Sequence, residues 1–132
     1  MANDEEYYGY ELLRGTSRKP QSKPQANGDC YEAAGKYILA HPNDGLILVH
    51  AEVMGQGKLD GISFGHAFIV DGENVIDKSN GRNIQMPKSL YFAIGQIYDL
   101  DNFYQYDYKA AQKKILDLSQ WGPWDLQTRS GL

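Results

Sequence analysis

Three side chains of this sequence have types and an order suited to nucleophilic catalysis: Cys30, His66 and Asp77. A thiolate is a strong nucleophile, and a neighbouring imidazolium favours it over the thiol. A carboxylate beside an imidazole fixes the tautomer and stabilises the charged ring. A set of this kind attacks an amide or peptide-type carbonyl, with the thiol as nucleophile, His66 as base and then acid, and Asp77 orienting the ring. Against this stands the commoner use of a single cysteine, as a small buried hydrophobe. The flanking elements decide between the two, because only they can bring the three groups together.

The stretch FGHAFIVDGENVIDKSNG, residues 64–81, carries the imidazole and the carboxylate. Asp71, Gly72, Glu73 and Asn74 have turn chemistry and lie between two β-prone runs, so the segment is a hairpin. A two-residue loop of Gly72 and Glu73, closed by Asp71 and Asn74, places Phe68 opposite Asp77 and His66 opposite Ser79. Side chains alternate faces along a strand, which puts His66 and Asp77 on one face as diagonal neighbours. Such pairs lie roughly 7–8 Å apart at the backbone, within reach of an imidazole and a carboxylate.

The thiol opens a helix. In DCYEAAGKYILAH, residues 29–41, Asp29 is placed as N-cap and Glu32 follows three residues later. Ala33, Ala34, Tyr37, Ile38 and Ala40 or His41 recur at helical spacing, and Pro42, Asn43, Asp44 and Gly45 end the run. The amide groups and dipole at a helix start favour a thiolate there.

The rest of the chain supplies scaffold. LILVHAEV, residues 46–53, is a strand with Leu46, Leu48, His50 and Glu52 on one face and Ile47, Val49, Ala51 and Val53 on the other. Residues 55–61 form a glycine-bounded connection, and Asn83–Met86 a short strand. A helix starting at Lys88 is expected to bury Leu90, Ala93, Ile94 and Ile97. A second, Tyr106–Leu118, is expected to bury Ala110, Ala111, Ile115 and Leu118. Trp121 and Trp124 flank Gly-Pro in a tail that docks onto the core or meets a partner. The chain reads as one domain, 1–132: a loop-rich arm over 1–28, a catalytic-type core over 29–97, and a C-terminal helix with its tail over 98–132. Helix, antiparallel sheet and then helices make the class α+β.

The order Cys30, His66, Asp77 resembles the papain-like fold, including its NlpC-type and transglutaminase-like branches. The matching residues are Cys30 with Ala33 and Ala34, then Gly65-His66-Ala67-Phe68, then Val75-Ile76-Asp77. The run is similar to that of small phage-type proteins. The likeness covers residues 27–97, about half the chain. It implies a helix that begins at the nucleophile and packs on an antiparallel sheet, and a thiol hydrolase of peptidase, amidase or deamidase type, or an acyl transferase. The fold's usual upstream glutamine has no residue in clear register, although Gln25 and Asn27 lie nearby as oxyanion candidates. The usual tryptophan after the cysteine is Tyr31. A scaffold of this kind used only for binding, as a phage-type inhibitor or adaptor, is the alternative.

The remaining histidines have ordinary readings. His50 lies among apolar residues as a core or cleft histidine; on the face of His66 it would join Glu52 in binding substrate. His41 is a helix C-terminal cation. No HxH or HExxH spacing occurs, so no metal is expected, nor any other cofactor. A net charge of −4 without a basic stripe argues against nucleic acid as a partner. Ten tyrosines against four phenylalanines suit the walls of a cleft or a partner surface. The acidic start MANDEEYYGY has no apolar leader and no run reaches transmembrane length, so no membrane is expected and a cytoplasmic location is the default. The expected partner is a peptide or other amide-containing substrate.

Overall fold

A computed structural model describes residues 29–127 of the chain. Gln25, Asn27 and the rest of the N-terminal arm lie outside the described residues. The elements are α1 (Cys30–Ala40), β1 (Ile47–Met54), β2 (Ser63–Asp71), β3 (Asn74–Asp77), β4 (Ile84–Pro87), α2 (Lys88–Ile94), β5 (Phe103–Tyr106) and α3 (Tyr108–Leu118). The strands form one antiparallel sheet in the order β4-β3-β2-β1-β5. The class is α+β, with Cys30 as the first residue of α1.

Alternation along the strands divides the core between two faces. On one, Leu48, Ala67, Ile69 and Ile76 pack with Cys30, Ala34 and Ile38 of α1 and with Ala111 of α3. On the other, Val49, Ala51, Val53, Phe64, Phe68 and Val75 pack with Ile97, Tyr91 and Phe92. Ile38, Leu48 and Phe68 are fully buried, each stabilising the fold by about 1.5–3 kcal/mol in transfer terms. The hairpin has the expected loop. Gly72 takes φ +63, and Ile69, Val70 and Asp71 pair with Ile76, Val75 and Asn74.

Several local expectations are corrected. Asp29 precedes α1 but makes no capping bond; its carboxylate instead accepts from the Asn80 backbone N–H at 2.6 Å. Glu32 pairs with Lys36 one turn on, at 2.6 Å. α2 stops at Ile94 because the chain turns through Gly95, so of the expected stripe Ile97 alone packs on the core. Leu90 and Ile94 are exposed, while Tyr91 and Phe92 face the sheet. Tyr106 belongs to β5, whose short FYQY run finds its partner in distant β1. α3 therefore begins later, with Asp107 capping it through the Ala110 N–H at 2.8 Å. It buries Ala111 and leaves Ala110 and Leu118 exposed. Both tryptophans of the tail dock. Trp121 lies on Gly35 of α1, and Trp124 stacks near His50 and Tyr106. Among the described residues no helix is long and apolar enough to cross a membrane.

Candidate functional site

The site forms where β3 ends. Beyond Asp77, the last residue of β3 and still paired with Ile84 of β4, the chain makes a single 3-10 turn, Ser79–Gly81, with Asn80 at φ +54. That turn is tied to the start of α1 by the Asn80–Asp29 hydrogen bond. The tie brings Cys30 to the margin of β2 where His66 sits, unflanked by β3. His66 and Asp77 share a face with Phe68 and Val75, as the alternation requires.

Asp77 is held at both oxygens. Oδ2 accepts from His66 Nε2 at 3.0 Å and from the Tyr91 hydroxyl at 2.7 Å. Oδ1 accepts from the Ser79 N–H at 2.9 Å and the Ser79 hydroxyl at 2.6 Å. A carboxylate with this many donors stays ionised. Burial acts to raise its pKa, but the His66 charge and hydrogen bond, Arg82 and Ser79 outweigh it, so the carboxyl lies well below its usual range. Tyr91 is raised well above its usual value, by burial and then by the Asp77 charge, and so remains a donor.

With Nε2 committed to Asp77, Nδ1 is the His66 nitrogen left for the thiol. It is buried and has no hydrogen-bond partner, while the Cys30 side chain lies near enough to act on the charge of the ring. Burial disfavours the charged imidazole, yet Cys30 first and Asp77 second overcome this, raising the ring's pKa to about 10. Sulfur, imidazole and acid therefore lie together. They are also shut away from water: Cys30 is 1% exposed, His66 4% and Asp77 2%. Charges so desolvated couple strongly.

His50 and Glu52 do not join this face. The β1–β2 register sets His50 opposite Ala67 and Ala51 opposite His66, so the two histidines point to opposite sides of the sheet. His50 is enclosed by Tyr31, Tyr106 and Trp124, with ring centroids 4.9, 5.1 and 4.8 Å away. Neither of its ring nitrogens has a hydrogen-bond partner. Burial lowers its pKa to about 3; the Asp125 charge opposes this and that of His66 adds to it. Tyr31 adjoins Cys30 in sequence, and its hydroxyl is pushed up by burial and by the Cys30 and Glu52 charges. His41 donates from Nδ1 to the Tyr37 carbonyl at 2.8 Å and stacks on that residue's ring. Among the described residues no group of His, Cys, Asp and Glu is placed to hold a metal ion.

Ser79 and Tyr91 are the functional neighbours that the sequence reading did not select. Ser79 had a readable cue, since an Asp followed two residues later by Ser is a common local hydrogen-bonding turn. Tyr91 had none beyond the excess of tyrosine. No family model, curated protein or solved structure matches the chain.

Proposed function

We propose that the protein is a cysteine-dependent hydrolase or acyl transferase of papain-like type, acting on an amide or peptide bond. The observation that carries this reading is the meeting of the Cys30 side chain with His66 while the far side of the ring is fixed on Asp77. The Cys30 thiolate adds to the carbonyl carbon. Protonated Nδ1 of His66 then gives its proton to the departing amine as the C–N bond breaks, leaving a thioester. Water or a second amine, losing a proton to the now neutral His66, attacks that thioester and expels the thiolate, which restores the starting pair. The first-turn amides of α1, which the Asp29 side chain does not cap, serve as donors for the developing oxyanion in this reading.

The burial of Cys30 favours a second reading, a non-catalytic binding scaffold. Acylation separates the two. Incubation with p-nitrophenyl acetate should place an acetyl group on Cys30, detected by intact mass and peptide mapping. His66→Ala should slow that step by roughly 10²–10⁴-fold, the usual worth of a positioned acid–base group. Equal, slow labelling of both proteins would support the scaffold.

A further inference from the structure

The tail Trp121–Leu126 lies along α1 and β1 as a short peptide would lie in a groove. Its backbone touches the floor at Gly122, with φ +127, where a Cβ would meet His50 Cε1 at 2.7 Å and Tyr31 Cδ1 at 3.2 Å. No residue other than glycine fits there. Two positions on, Trp124 packs against His50 and Tyr106, which with Tyr31 on the edge of His50 make an aromatic box. Its indole N–H does not use the box: it donates to Gln120 O at 3.0 Å, within the tail. His50 is thus left with two buried, unpartnered nitrogens, Nε2 lying against Gly122. A buried polar group in that state is costly, so the tail is an imperfect occupant. It is held by Leu126, which is buried, by Trp121 on Gly35, and by polar contacts at its rim: Tyr106 donating to Asp125 at 2.6 Å, Lys114 to Asp125 at 3.4 Å, and Asn102 bonding Gln127.

We propose that this groove is a peptide subsite, filled in cis by the chain's own tail, whose exchangeable ligand is a glycine-containing segment with an aromatic residue two positions further on. The subsite rests on the proposed chemistry only for its purpose; its occupancy is a matter of binding alone. A tethered tail competes at an effective concentration of order millimolar, so a free peptide binds appreciably only once the tail is dislodged.

The test uses the full chain and its Gly122→Ala variant, with a fluorescein-labelled peptide of residues 119–127 (SQWGPWDLQ) followed by anisotropy. The added methyl should expel the tail, shifting the emission of Trp121 and Trp124, the two tryptophans of the sequence, to the red while far-UV circular dichroism stays native. The peptide should then bind the variant saturably and bind the unaltered chain roughly tenfold or more weaker. A peptide with Ala in place of the glycine should lose roughly tenfold against the variant. Unchanged emission, unfolding of the whole domain, a released tail with no peptide binding, or equal binding of the Ala peptide would each overturn the subsite. Peptide binding should survive Cys30→Ser in the same background. Loss of binding with His66-dependent acylation intact removes the subsite alone, and binding without acylation supports it while removing the chemistry.

Discussion

Tyr91 and His66 meet on a single oxygen of Asp77: the phenol donates to Oδ2 at 2.7 Å and the imidazole Nε2 at 3.0 Å. The carboxylate that orients the ring is itself fixed by a residue from α2, which packs on the same face of the hairpin. Its other oxygen is held by Ser79. The geometry of the imidazole is thereby tied to three separate stretches of chain.

Removing the Tyr91 hydroxyl should therefore disturb the site through Asp77. Tyr91→Phe deletes a hydrogen bond to a buried charge, and should cost about 1.5–3 kcal/mol of stability. The midpoint of urea unfolding measures this. Asp77→Asn keeps the shape but leaves His66 without its counter-charge, and should reduce acylation of Cys30 by at least as much as Tyr91→Phe does. A midpoint unmoved by Tyr91→Phe would mean that the phenol contributes nothing to holding the acid.

Stability should peak around neutral pH, for reasons traceable to three buried groups. The His66 pKa is raised to about 10, so its contribution is complete below the ordinary 6.5 and is lost as pH climbs toward 10. Asp77 is held below 3.8, so its contribution is present above that value and disappears as pH falls through the folded-state pKa. His50 works in the opposite sense to His66. Its pKa is lowered to about 3, so the folded state resists a proton that the unfolded chain accepts, and stability declines as pH drops below 6.5. His50→Phe should flatten the acid limb between pH 6.5 and about 4 while leaving the alkaline limb in place. Urea midpoints measured across pH would expose an error if both limbs changed together.

Gly35→Ala offers a sharp reading of how firmly the tail is seated. In a helix interior this substitution ordinarily gains about 0.8–1.0 kcal/mol. Here the new Cβ would meet Trp121 Cε3 at 2.6 Å, and the tryptophan must give way. The expected result is a red-shifted tryptophan emission with little or no gain in overall stability. A full helix-propensity gain with unchanged emission would show that Trp121 does not press on α1.

The parts of this molecule visible in its sequence are those fixed by local chemistry. The hairpin follows from Asp71-Gly72-Glu73-Asn74, and its register carries His66 and Asp77 to one face by parity alone. The start of α1 at Cys30 follows from the loop and helix periodicity around it. What escaped depends on distant partners. β5 is four residues long and is a strand because β1 offers it an edge. The buried side of α2 is set by the end of the helix at Gly95, which brings Ile97 back onto Phe92 and leaves Leu90 outside. Ser79 was expected across from His66, but β3 ends before it and its hydroxyl turns to Asp77. The face of His50 was an open condition in the sequence, and the β1–β2 register places it away from His66.

The proposed chemistry rests on the Cys30 sulfur acting on the His66 ring. Ring nitrogen chemical shifts of His66, followed by NMR across pH in the unaltered chain and in Cys30→Ala, test it most directly. The ring should remain doubly protonated through neutral pH, titrating near 10 in the unaltered chain, and should titrate at distinctly lower pH once the sulfur is removed. A ring that titrates near its ordinary 6.5, or identically with and without the sulfur, would contradict the account.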